Sequence, residues 1–245
     1  MALIYYNVGE SLGVPDLSPF CLKLESFMRL HDIDFTISDL DIRKKLSMAP
    51  KKKVPFVKFE NGELMGDSAL IIARLAKDND IDLYAGLSAQ QKAIGHSIIR
   101  MLDEHFYFCL VYARWVDDRG WAVMEPLLFH EAPGFIRGFI SNMVRKKTSH
   151  KLWEQGISRH SADDVYAIGA KDIQALSDIL GDDGLFFGAS APSLVDLCVH
   201  SYLANILYVD IENGLRDEAR KHNNLIAHTN TVHQAVYGVS LSDKV

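Results

Sequence analysis

Ser18-Pro19-Phe20-Cys21, Lys53-Val54-Pro55-Phe56-Val57 and Gly66-Asp67-Ser68-Ala69 stand in that order in the first third of a 245-residue chain, and their reading decides the fold. Ser18 is a preferred helix N-cap and Pro19 suits the first helical position. Cys21, Leu24, Phe27, Met28 and Leu30 then carry the apolar periodicity of that helix. A helix start favours thiolate over thiol. Two thiols fit the position: a ligand's own, held by the Ser18 hydroxyl, or that of Cys21. Ser18 is equally an ordinary cap, and Cys21 a small buried hydrophobe. Val54-Pro55, ahead of a strand, is a candidate cis peptide in a tight turn. Such a turn leaves the Val54 N–H and C=O free to pair with an extended peptide; an ordinary proline at a strand start is the alternative. Asp67 and Ser68 sit where a strand gives way to a helix. Helix N–H groups there bind a carboxylate and the Asp67 carboxylate binds an ammonium, although both residues also make plain caps. Together the three segments outline a site for a thiol-bearing peptide.

Around these segments the chain divides in two. Ala2 to Tyr6 reads as a buried strand, Gly9 to Leu17 as a loop punctuated by Gly13 and Pro15, and Ile33 to Leu40 as a second strand by its alternation. Phe56 to Phe59, Asn61-Gly62 and Glu63 to Met65 read as a hairpin with a tight turn, followed by a helix to about Lys77. The order is βαβ, a short segment, then ββα. Asp78 to Leu87 is polar and turn-rich, a linker. Beyond it the chain reads as helix: Ser88 to about Val116, a region interrupted by Pro126, Pro133 and Gly134, an amphipathic helix over Ala162 to Leu180, and an apolar one over Ser193 to Tyr208. The expected fold is an α/β domain over 1–78 followed by an all-α bundle over 88–245.

Composition narrows the function. A net charge of −6 gives a whole-chain field that favours neither nucleic acid nor an anionic membrane. Lys51-Lys52-Lys53 and Arg145-Lys146-Lys147 are local exceptions, read as solvated faces. Cys21, Cys109 and Cys198 are sparse and odd in number, form no CxxC pair and have no Cys/His metal spacing. No metal is expected, and a reducing cytoplasm fits such cysteines. Met1 to Asn7 lacks the features of a signal peptide, and the apolar run near Phe106 to Val116 contains Arg114 and is too short for a transmembrane segment.

The sequence Ser-Pro-Phe-Cys, Lys-Val-Pro and Asp-Ser ahead of an all-helical half resembles the cytosolic glutathione transferase family over essentially the whole chain. Longer strings resemble its failed-axon-connections and metaxin-like branch: Ser18 to Glu25, His105-Phe106-Tyr107, Val111 to Asp117, Arg159-His160-Ser161 and Asp172 to Ser177. The resemblance implies a thioredoxin-like N-terminal domain that binds glutathione as co-substrate, and a helical domain that supplies the acceptor site. It implies that Val54 beside cis Pro55 pairs with the cysteinyl backbone and that Asp67 and Ser68 hold the γ-glutamyl end. Lys53, with Lys51 or Lys52, would lie near the glycine carboxylate, and Ser18 would take the thiol-activating place. Ser193-x-x-Asp196 matches the family's folding cap. A dimer is the family's usual state.

Two features depart from that pattern. Tyr5 and Tyr6 lie where tyrosine-type members place their hydroxyl, yet a long loop follows before Ser18. The first position of a CxxC is Ser18, so dithiol exchange is excluded, while a one-cysteine cycle through Cys21 requires that residue to be exposed. In the helical half His105, Phe106, Tyr107, Phe108, Tyr112, Arg114 and Trp115 crowd one stretch, which reads as core packing or as the wall of an apolar acceptor pocket. Tyr112, Arg114 and Trp115 are the acceptor-site candidates, because a hydroxyl and a guanidinium in apolar surroundings need partners. The expected activity is serine-type transfer of the glutathione thiol to a small hydrophobic electrophile, a detoxification chemistry. The alternative is a non-catalytic interaction module of metaxin-like type.

Overall fold

The computed structural model describes residues 3–130 and 133–241; Ala2, the first residue of the expected opening strand, lies outside them. The first half runs β1 (Leu3–Tyr6), α1 (Pro19–Leu30), β2 (Phe35–Ile37), α2 (Ile42–Met48), β3 (Phe56–Lys58), β4 (Leu64–Gly66) and α3 (Ser68–Asp78). The four strands form one mixed sheet in the order β2-β1-β3-β4, a thioredoxin-like arrangement. β1 lies parallel to β2 and antiparallel to β3, and β3 is antiparallel to β4. The segment expected to be irregular between β2 and β3 contains α2, capped by the Asp41 side chain on the Lys44 N–H. Its apolar residues Ile42, Leu46 and Met48 are partly exposed while Lys45 turns inward, so no apolar stripe announces it.

From Ala89 the chain is helical: α4 (Ala89–Met101), α5 (Tyr107–Trp115), α6 (Asp118–Phe129), α7 (Gly134–Gln155), α8 (Ala162–Leu180), α9 (Leu194–Leu207), α10 (Gly214–Ala219) and α11 (Asn223–Tyr237). A π-helical turn over Leu102–Phe106 joins α4 to α5, so the single long helix expected there is continuous but widened and underwound in its middle. Pro126, read as an interruption, lies inside α6. The corner between α5 and α6 is tight: a Cβ on Gly120 would lie 1.8 Å from the Ala113 carbonyl oxygen, so only glycine fits.

The α9 helix is the axis of the second half. Thirteen of its residues are buried, and it packs against α1, α4, α10 and α11. Its start is fixed by Asp196, whose carboxylate accepts the Ser193 N–H at 2.8 Å, the Ser193 hydroxyl at 2.6 Å, the Phe186 N–H at 2.8 Å and His228 Nε2–H at 2.9 Å. The two halves are joined by a buried ion pair, Lys23 Nζ to Asp103 at 2.7 Å, with Tyr202 Oη donating to the same carboxylate at 3.1 Å. Lys23 is on α1, Asp103 on the π turn and Tyr202 on α9.

Candidate functional site

Sheet register brings the three opening segments together. Tyr6, the last residue of β1, pairs with Phe56, the first of β3, and Phe56 pairs with Gly66, the last of β4. The loop that follows β1 toward Ser18, the Val54-Pro55 turn before β3 and the Asp67-Ser68 step after β4 therefore leave the same end of the sheet. The Val54-Pro55 peptide is cis. No backbone hydrogen bond involves Val54 among the described residues, which leaves its peptide groups available for an added strand. Asp67 caps α3, accepting from the Ala69 and Leu70 N–H groups, and receives Lys51 Nζ at 3.3 Å. Lys51 is therefore already paired, Lys52 donates to the Ser47 carbonyl, and Lys53 is exposed.

Ser18 caps α1. Its Oγ accepts the Cys21 N–H at 3.4 Å. The cap uses the oxygen as an acceptor, and the hydroxyl also hydrogen-bonds the Cys21 thiol, so a ligand sulfur would have to compete for that donor. Cys21 is fully buried, and burial, reinforced by Asp16, pushes its thiol well above the ordinary range. The exposure that a one-cysteine cycle demands is not met, which corrects Cys21 as an alternative nucleophile. Tyr5 is buried and its hydroxyl donates to the Cys21 carbonyl at 2.7 Å. Tyr6 is buried with its ring stacked on Phe56, centroids 4.1 Å apart.

Beneath Ser18 lies a polar support that sequence reading did not single out. Asp16 is 0 % exposed, and its carboxylate accepts the Gly9 N–H at 2.9 Å and the Ser18 N–H at 2.7 Å. Burial pushes its pKa up to about 7, against the lowering effect of those two hydrogen bonds. Arg114 reaches from α5 to donate to the Leu17 carbonyl at 2.6 Å and to the Asn205 side chain at 2.7 Å, while Asn205 donates to the Asp16 carbonyl at 3.1 Å. The helical half thus grips the two residues that precede Ser18. Arg114, expected in the acceptor site, is instead a buried strut with every contact to protein, and burial lowers its pKa to about 10. Tyr112 is likewise buried, edge-on to Tyr166, and Trp115 packs on Trp121. The aromatic of α5 that meets α1 beside Ser18 is Tyr107, whose ring lies 4.9 Å from Phe20; both are partly exposed. Among the described residues no cluster of three metal-ligating side chains occurs.

A mixed sheet whose one end gathers a serine-capped helix, a cis-proline turn and an aspartate-capped helix, backed by a helical bundle, defines a class of two-domain thioredoxin-like proteins. Family models agree: residues 19–120 match the glutathione S-transferase N-terminal domain and residues 169–232 its C-terminal domain. The chain is 30 % identical to the isoprene-epoxide--glutathione S-transferase of Rhodococcus sp. (strain AD45), covering 82 % of this chain and 85 % of that one. It is 32 % identical to Failed axon connections of Drosophila melanogaster over 92 % of this chain, but spans only 56 % of that relative's length. It is 26 % identical to human Metaxin-1 over 88 % of this chain, spanning 47 % of that protein. In structure it resembles the beta-etherase LigF from Sphingobium sp. strain SYK-6, with a TM-score of 0.66, 15 % identity and 100 % of both chains covered. The chain belongs to the glutathione S-transferase family.

Proposed function

We propose that this chain is a serine-type glutathione transferase, with 1–78 as the glutathione-binding unit and 88–245 as the acceptor-side unit. The observation that carries this reading is the alignment of Tyr6, Phe56 and Gly66 across the sheet, which sends Ser18, Val54 and Asp67 out of one sheet end. Val54 pairs with the cysteinyl backbone of glutathione beside Pro55. Asp67 and the α3 N-terminus, with Ser68, hold the γ-glutamyl ammonium and carboxylate, and Lys53 faces the glycine carboxylate. The Ser18 hydroxyl donates to the sulfur, and the N-terminus of α1 adds to the preference for thiolate. The thiol proton leaves to solvent. The thiolate attacks an electrophilic carbon and an S–C bond forms as the C–O bond of the epoxide breaks; the oxygen keeps the electron pair, stays on the product and takes a proton from solvent. The relative named for an isoprene epoxide makes a small epoxide the first electrophile to try, with Phe20 and Tyr107 as the apolar wall.

Calorimetry with millimolar glutathione and epoxide-conjugation kinetics test this reading. Ser18→Ala lowers kcat by roughly tenfold to a hundredfold while leaving glutathione affinity within about threefold, because the lost hydrogen bond strengthens only as sulfur becomes charged. An unchanged rate in Ser18→Ala, with loss in Tyr6→Phe, rules out the serine assignment. No glutathione binding at all favours the second reading, a non-catalytic interaction module, which the similarity to Failed axon connections and Metaxin-1 motivates. Cytoplasmic residence accords with three unpaired buried cysteines. A homodimer is favoured by an apolar groove of about 450 Å³ lined by Ile94, Ile98, Met101 and Ile179, a surface that a second copy would cover.

A further inference from the structure

Helix α7 carries apolar residues on two sides: Ile136, Ile140 and Val144 are half-buried and Leu152 is in the core, while a second apolar set faces out. Of its 22 residues only Ser141 and Leu152 are buried, whereas Phe135, Phe139, Met143 and Trp153 are 90, 75, 55 and 51 % exposed. Phe135, Phe139 and Met143 recur at every fourth position and so line one face. Trp153 returns to that face about five turns from Phe135. Polar contacts add to that apolar anchoring. Arg137 forms a two-point pair with Glu125 at 2.9 and 2.7 Å. Arg145 donates to the Trp115 and Val116 carbonyls at 2.9 and 2.7 Å and to Asp118 at 2.7 Å.

Of the basic cluster Arg145-Lys146-Lys147, only Arg145 is engaged with the protein. Lys146, Lys147 and Lys151 are exposed, and none pairs with a carboxylate among the described residues. The helix carries Arg137, Arg145, Lys146, Lys147 and Lys151 against Glu154 alone, in a chain whose net charge is −6. The whole-chain charge disfavours an anionic surface, but its distribution gathers unopposed cations beside the most exposed apolar side chains of the molecule. No described helix is long and apolar enough to cross a membrane, so this face is suited to lying on a bilayer rather than spanning it.

We propose that the outward face of α7 docks on the surface of an anionic phospholipid bilayer. Phe135, Phe139 and Met143 enter the boundary between headgroups and acyl chains, and Lys146, Lys147 and Lys151 meet the headgroup anions. A bilayer surface supplies an apolar bed and negative charge in one plane, the combination that interfacial helices require. A second copy of the chain would bring the same unopposed lysines to the contact, so charge favours lipid over self-association. Each lysine near an anionic surface strengthens binding by about fivefold, and three of them by about a hundredfold, an effect that salt weakens.

The test is sedimentation of the full chain with phosphatidylcholine vesicles, with and without phosphatidylserine. Binding is expected to favour the phosphatidylserine vesicles by at least about tenfold, and to come with a blue shift of tryptophan emission that is lost in Trp153→Phe. Lys146→Glu/Lys147→Glu/Lys151→Glu lowers partitioning by about a hundredfold or more. Phe135→Ser/Phe139→Ser abolishes the emission shift while leaving circular dichroism and glutathione binding unchanged. Because α7 contributes nothing to the Ser18 site, these outcomes are independent of catalysis. The proposal is overturned by equal binding to both vesicle types, by no binding to either, or by a lysine variant that partitions like the parent. It is also overturned if Phe139→Ser instead dissociates a dimer seen by light scattering in a protein that ignores lipid.

Discussion

Helices α9 and α7 lie in the same half of the molecule and obey opposite rules. The α9 helix is buried on almost every side, polar residues included, and its single carboxylate start is fixed by four hydrogen bonds. The α7 helix turns its phenylalanines outward and is held by arginines at its rim. An apolar sequence therefore does not by itself say which way a helix faces. The partners of its polar residues decide that, and at α9 they are inside. The largest predicted effect follows at Asp196. Burial pushes its carboxyl up, but hydrogen bonds from His228 and Ser193 hold it below the usual range, so it is a charged acceptor serving four donors, two of them fully buried. Asp196→Ala leaves those donors unpaired and is expected to remove about 3–5 kcal/mol of stability, read from urea unfolding. A loss under about 1 kcal/mol would show that α9 is held by packing alone, and the contrast with α7 would lose its basis.

The loop before Ser18 stands between these extremes: Val14, Leu17 and the acidic Asp16 are all buried in it, while Glu10 and Gly13 are exposed. Its Asp16 titrates near neutrality because burial outweighs the hydrogen bonds from Gly9 and Ser18. Lys45 from α2, Arg114 from α5, and Tyr5, Cys21 and Glu25 are the charged or titratable groups around it. The folded pKa, about 7, lies above the ordinary aspartate value of 3.8, so the folded state retains the proton. The stabilisation this gives relative to a charged carboxylate is fully present below about pH 4 and is lost as pH rises through 7. Asp16→Asn removes the titration. The stability of the parent relative to Asp16→Asn is expected to fall by a few kcal/mol between pH 4 and pH 8, with little change above that. Parallel pH profiles for the two proteins would mean that the carboxyl titrates as in the unfolded chain and that the loop is open to water.

These regions also differ in how far sequence could describe them. Ser18, Pro55, Asp67 and Ser193 were legible because each acts on backbone within a few residues of itself, as a cap or a turn, and local chemistry is written in local sequence. The amphipathic stripe of α8 was legible for the same reason. Asp16 and Arg114 were not. The Arg114 partners are Leu17 and Asn205, 97 and 91 positions away, and nothing beside Arg114 marks them. A guanidinium in an apolar stretch needs acceptors, which makes Arg114 an acceptor-site candidate by sequence; the Leu17 and Asn205 carbonyls and the Asn205 side chain meet that need. The α2 helix escaped because its inward residue is Lys45, donating to the Asn7 carbonyl at 3.2 Å, the reverse of the pattern that betrays a helix. In the basic cluster of α7 the lysines were read as solvated, which they are. The exposure of Phe135 and Phe139 beside them required the packing of α6 and α7 to be known.

The smallest predicted effect tests the other side of the contrast. Phe139 is 75 % exposed, so replacing it removes little buried area and opens no cavity, unlike truncation of a core phenylalanine, which costs about 3–5 kcal/mol. Phe139→Ser is therefore expected to change unfolding free energy by less than about 0.5 kcal/mol, since serine and phenylalanine have similar helix propensities. A core substitution in α9, Leu203→Ala, supplies the matched control, since Leu203 is 0 % exposed and its loss is expected to cost about 2–5 kcal/mol. If Phe139→Ser costs as much as Leu203→Ala, then Phe139 is buried in the folded molecule in solution, and neither the outward apolar face of α7 nor the lipid-facing role built on it survives. If the two differ as expected, the phenylalanine is retained for a contact that the folded chain does not make with itself.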